Sequence, residues 1–223
     1  MKEQIEQYLK IRNDLIGYVF PNIEASDLLP LVLSDQNPLL ASYDLVDTAV
    51  FNHLIFDTLS PGRTGIGGFL ENRSIYRRST LYTTEEVRSI HLGVDVWSPA
   101  LTPIHAPLDG VIHSFKDNDG FGDYGPTIIL EHKIENSTFY SLYGHLSRES
   151  LRNKRVGQPI QKDECFAALG NYPENGDWPP HLHFQVMTDL LGNAGDFPGV
   201  IAPSQANFYK TICIDPMLLL KFR

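Results

Sequence analysis

The stretch Pro180-His-Leu-His-Phe-Gln-Val-Met187 decides the fold class. Leu182, Phe184 and Val186 fall on alternate positions, with His181 and His183 between them. A period of two is the signature of a strand with one face in a core. The string therefore predicts a strand over 181–187 whose apolar face is buried and whose other face projects two imidazoles toward a common point.

Working outward, the same texture holds back to Arg88. Short β-rich runs alternate with Gly, Pro, Asn and Asp. Strands are expected at Thr102–Ala106, Gly110–Phe115, Thr127–His132, Thr138–Tyr143 and Cys165–Leu169, with a turn at Ser147–Arg152 and no helical period after residue 100. This is an antiparallel β pattern, not an alternating βαβ one. Upstream, apolar positions at helical spacing predict a helix over 2–20, ended by Pro21. A second helix is expected over 44–59, with Asp44 as its cap. The glycine-rich run Pro61–Gly68 lacks the Gly-Lys-Ser/Thr ending of a phosphate-binding loop and reads as a flexible linker. The fold class is thus mainly β: a helical N-terminal extension over 1–85, packing on or near the cleft, and a β domain over 86–223.

Composition narrows the function. The chain has 223 residues, 42% hydrophobic and 20% charged, with a formal net charge of -9. An acidic surface repels phosphate backbones and anionic lipid, so no nucleic acid partner is expected. No run approaches the ~20 apolar residues of a membrane span, and none at the start resembles a secretory h-region. A cytoplasmic location is the expectation. Cys165 and Cys213 both have apolar neighbours, and both are expected to be buried reduced thiols.

The chemistry sits in three strings: His91-Leu-Gly-Val-Asp95, Tyr143-Gly-His145-Leu-Ser147 and the opening stretch. Gly93 permits a bend that aims His91 and Asp95 at one point. Catalytic zinc takes three protein ligands and keeps a fourth position for water. His91, Asp95 and one of His181 and His183 satisfy that count. The remaining imidazole and His145 would stand beside the water, as base and as donor to a developing oxyanion. His53, His105, His113 and His132 read as solvated or structurally satisfied.

These strings, together with Pro103–Val111, Tyr124–His132, Val156–Ile160 and Asp215-Pro-Met-Leu-Leu, occur in an order that resembles the lysostaphin-type zinc endopeptidases, peptidase family M23, also called LytM domains. The likeness spans roughly residues 88–188. It implies zinc held by His91, Asp95 and His183, with His145 and His181 as the unligated catalytic pair. It also implies hydrolysis of a peptide bond in a peptide or peptidoglycan fragment. One departure stands out: Gly170–Pro180 is bulkier than the family's glycine-rich approach to the last motif and would reshape the cleft. Two rival readings are a non-catalytic module of the same fold and a zinc amidohydrolase acting on a cytosolic small molecule. Ahead of the first motif, Tyr76, Arg77, Arg78 and Tyr82 read as a basic, solvated strand edge. Asn72 is the residue that a latent family member would place on the metal.

Overall fold

The computed structural model describes residues 1–83 and 85–223. Its strands are β1 Leu28–Leu31, β2 Thr64–Gly67, β3 Ile90–His91, β4 Val94–Trp97, β5 Pro103–His105, β6 Gly110–Asn118 and β7 Gly125–Ile134. They continue as β8 Ser137–Gly144, β9 Pro159–Ile160, β10 Cys165–Ala168, β11 His181–Met187, β12 Val200–Ile201 and β13 Cys213–Ile214. A nine-stranded sheet runs β1-β2-β4-β11-β8-β7-β6-β9, with β13 paired to β11. The β1–β2 pair is parallel and the others are antiparallel, so the sheet is mixed.

The strand expected over 181–187 is β11. Leu182, Phe184 and Val186 are fully buried in the main core with Val94, Val96, Ile128 and Leu130. Their alternation sets the register. His183 lies opposite Asp95 on β4 and opposite Gly144 at the end of β8. His181 lies opposite Trp97. The central position of β11 thus brings three distant segments together.

The helices are shorter than the periodicity suggests. α1 spans Lys2–Ile11 and buries Ile5 and Leu9. The chain then leaves the helix: Gly17 N donates to Pro107 O at 2.8 Å, and Ile16, Val19 and Phe20 enter the core individually. Glycine is among the poorest helix formers, and tertiary hydrogen bonding wins here. α2 spans Thr48–His53 and runs on as π-helical turns over Leu54–Leu59. Its cap is Asp47, which accepts from Ala49 N and Val50 N, while Asp44 accepts only from Val46 N. A third helix, α3 Ala206–Ile212, was not expected. At seven residues it is too short to show a period.

The linker reading of Pro61–Gly68 is overturned. Its core is β2, which pairs with β1 and β4 and places Gly65 opposite Trp97 and Gly67 opposite Asp95. These glycines serve close approach: a Cβ at position 65 would meet Leu31 Cδ1 at 2.5 Å, and one at 67 would run into the guanidinium of Arg73. Both cysteines are free, but only Cys213 is buried; Cys165 is exposed. Among the described residues no helix is long and apolar enough to cross a membrane.

Candidate active site

Three donor atoms converge where β3, β4 and β11 meet. His91 Nε2 lies 2.9 Å from His183 Nδ1. Asp95 Oδ1 lies 3.2 Å from His91 Nε2 and 3.1 Å from His183 Nδ1. All three side chains are buried. Gly93 is needed for proximity more than for a bend, since a Cβ there would meet the His183 ring at 2.6–2.7 Å.

The outward-facing atoms fix what the inward ones can do. His91 Nδ1 lies 3.0 Å from Gly68 O, which can only accept, so Nδ1 carries the proton. His183 Nε2 lies 3.2 Å from Gln185 Oε1, itself held because Gln185 Nε2 donates to Pro198 O, and 3.4 Å from the Tyr124 hydroxyl. With Nε2 donating to Gln185, His183 turns a lone pair inward at Nδ1. Asp95 Oδ2 accepts from Arg73 Nη1, leaving Oδ1 inward. Two imidazole lone pairs and a carboxylate oxygen therefore face one another. Such a donor set lacks a proton to share and fits a divalent cation.

His145 and His181 sit beside this cluster. Their ring centroids are 4.1 Å apart, and His181 Nε2 is 4.0 Å from Asp95 Oδ1. His145 Nδ1 donates to Asn175 O at 2.8 Å, and His181 Nδ1 donates to Pro179 O at 2.8 Å. Both Nε2 atoms are left with lone pairs. His145 has φ +60°. A non-glycine residue there costs on the order of 1 kcal/mol or more, and such strain gathers at functional sites. Trp97 stacks on His181 at 4.0 Å and holds its plane.

Burial lowers the His181 imidazole to about 4, against the pull of Asp95. Burial lowers His145 well below the ordinary range, helped by His181. For His91, burial and the charge of Arg73 bring the value to about 3. Burial pushes the Asp95 carboxyl up, but His91 and Arg73 outweigh it and hold it well below the usual carboxylate range. The three imidazoles with lowered values are neutral at pH 7, the form in which an imidazole binds metal or accepts a proton.

All five residues singled out in the sequence meet here. His53, His105, His113 and His132 do not. His132, for instance, is buried between Asp109 O at 2.9 Å and Ser141 Oγ at 2.7 Å. Asn72 is exposed, bridged to Ile90 through its backbone, and points to no metal role. The solvated-edge reading of 76–82 is overturned except at Arg77, which is exposed and paired with Asp35. Tyr76 and Tyr82 are buried beside the cleft. Arg78 is buried with its guanidinium 4.6 Å from the Trp178 ring and 4.7 Å from that of Phe121. Arg73, Gly68, Gln185 and Tyr124 were missed as contributors. Only Gln185, on the same face of β11 as the two histidines, had a readable signal in the period of two.

Asp95, His145, His181 and His183 border a cavity of about 170 Å³, walled on one side by Tyr76, Leu81 and Tyr82 and on another by Trp178 from the bulky 170–180 loop.

Comparison with known proteins follows the same lines. Residues 89–195 match the model of peptidase family M23, an interval that contains all five residues. A peptidoglycan DD-endopeptidase, ShyC, of Vibrio cholerae serotype O1 is 27% identical over 99 residues, covering 44% of this chain and 20% of that protein. The chain thus spans about a fifth of the length of the curated relative it matches. Among solved structures, the catalytic domain of lysostaphin from Staphylococcus simulans is 27% identical, with 58% of this chain and 77% of that one covered and a TM-score of 0.40. A zinc containing peptidase from Vibrio cholerae is 25% identical, with 47% and 28% covered and a TM-score of 0.35.

Proposed function

We propose, from a chain whose residues 89–195 match the model of peptidase family M23, that this protein is a zinc-dependent hydrolase of peptide bonds. The observation that carries the reading is the convergence of His91 Nε2, Asp95 Oδ1 and His183 Nδ1 as proton-free donors within 3.2 Å of one another. These three residues would hold the ion. Zinc bound there supplies Lewis acidity to water and to the scissile carbonyl.

The chain's own groups do the rest. His145 and His181 arrive neutral, with Nδ1 protons held by Asn175 O and Pro179 O, so each Nε2 accepts a proton. One takes the proton of the attacking water at Nε2. The imidazolium so formed steadies the tetrahedral intermediate by donating from Nε2 and then passes that proton to the leaving amine, while the other Nε2 accepts a hydrogen bond from the water and orients it. Trp97 and the His145 backbone fix both rings, which limits reorganisation during the reaction.

The substrate is a peptide or peptidoglycan fragment. The relation to a peptidoglycan endopeptidase supports this class. The small aromatic-walled cavity favours a short peptide over cross-linked polymer. The test is hydrolysis of a peptide panel beside small amides, before and after chelation and zinc restoration. Peptide cleavage lost on chelation and regained with zinc is the expected result. Cleavage of small amides alone would transfer the site to an amidohydrolase, and no turnover with zinc bound would favour a binding module.

A further inference from the structure

We propose that Arg73 is a positioning residue of this site: it takes one oxygen of Asp95 so that the carboxylate offers only the other to the metal. The inference rests on the zinc reading above and extends it to a residue outside the 89–195 match.

The two carboxylate oxygens of Asp95 are divided cleanly. Oδ1 faces His91, His183 and, at 4.0 Å, His181. Oδ2 faces Arg73 Nη1. Nothing on β4 itself enforces this division. A carboxylate is free to turn about its last bond, and a free one can bind a cation through both oxygens. Bidentate binding would consume the position that a hydrolytic site keeps open.

Arg73 is held too firmly for an incidental contact. It is 2% exposed. Its Nε donates to Glu71 Oε2 at 2.7 Å, and Glu71 Oε1 accepts from Leu33 N at 2.8 Å. Its Nη1 also lies 3.3 Å from the Tyr76 hydroxyl. Its backbone N donates to Ser89 O, two residues before His91. Gly67, opposite Asp95 on β2, leaves the space that its guanidinium fills. Burying a guanidinium is costly unless it is paired, and here two carboxylates, one of them the candidate ligand, take its Nε and Nη1, while Nη2 is buried without a partner. The planar fork matters: a lysine at 73 would supply charge without spanning Glu71 and Asp95 together.

The experiment is metal binding by the full chain, read by competition with a chromophoric zinc chelator and by the visible spectrum of the cobalt-substituted protein. Wild type should take one zinc. Arg73→Met, which keeps the bulk and loses the fork, should bind zinc about 10–100-fold more weakly, the usual cost of losing a ligand's outer partner. Its cobalt bands should shift as Asp95 changes its mode of binding. Arg73→Lys should recover part of the affinity without restoring the bands. Glu71→Gln leaves Arg73 in place and loosens its other arm; it should shift both readouts in the same direction by less, and it carries the test if Arg73→Met does not fold. Wild-type affinity and an unchanged cobalt spectrum in a folded Arg73→Met, or in Glu71→Gln should Arg73→Met not fold, would overturn the role and leave the metal site standing. No zinc uptake by wild type would overturn both.

Discussion

Two regions build one site and contribute unlike things. Strands β3, β4 and β11, with the residue after β8, carry every side chain proposed above as ligand or base. The segment 64–82 carries none of them. It supplies the Gly68 carbonyl behind His91, the Arg73 guanidinium behind Asp95, and the wall of Tyr76 and Tyr82. The first region decides what chemistry is available. The second decides whether its donor atoms are held in the state that chemistry requires. The segment 64–82 thus packs directly against the site, although it lies outside the family match.

Removing the second region should have the largest effect. A chain beginning near Thr83 loses β1 and β2 and the packing of Phe51, Leu54 and Ile55 on Trp97 and Trp178. Each such side chain contributes about 1.5–3 kcal/mol on burial, in a fold whose net stability is ordinarily about 5–15 kcal/mol. The truncated chain should show no cooperative melt and no stoichiometric zinc. A folded, zinc-loaded truncation would mean that the β domain holds its ligands unaided.

The bases come next. His145→Ala and His181→Ala should each keep zinc and lose about 10²–10⁴-fold in turnover. Near-native kcat in either variant removes that residue from the catalytic pair.

The contrast also explains what could be read in advance. His91, Asp95, His145, His181 and His183 were legible because β11 keeps a strict period of two and the other strings carry distinctive residue types. The other strand assignments from 102 onward followed from short β-rich runs set between Gly, Pro, Asn and Asp. Arg73 and Gly68 were not legible. A carbonyl has no residue type, and Arg73 is placed by tertiary partners on β4 and in the 71–76 turn, not by any period. The glycine-rich 61–68 run looked like a linker because close strand approach and flexibility call for the same residue. Arg78 looked solvated because a cation between aromatic rings leaves no pattern along the chain.

A finer cut separates two glycines of β2. Gly67→Ala drives a methyl into Arg73 and should cost about 1–3 kcal/mol together with a measurable loss of zinc affinity. Gly65→Ala meets the tip of the Leu31 side chain and the Trp97 Cβ, so it should lower Tm while leaving zinc affinity unchanged. Equal effects of the two on zinc titration would erase the special position of Arg73.

One further effect lies outside both regions and bears on stability alone. Burial lowers the His132 imidazole to about 4. The unfolded chain takes up this proton first, near the ordinary value of about 6.5. Stability is thus fully present above that pH and falls as pH drops toward 4, by on the order of 3 kcal/mol from this residue. Urea midpoints at pH 7.5 and 4.5 should show a smaller acid loss in His132→Gln than in wild type. An equal loss would assign the acid sensitivity elsewhere.

The most direct measurement is the metal content of His183→Ala beside that of wild type, by elemental analysis of protein exchanged into metal-free buffer. His183 is the one proposed ligand on the strand whose alternation sets the fold, and it touches both other donors. The account predicts one zinc per chain in wild type and essentially none in a folded His183→Ala. Full zinc in that variant would contradict it.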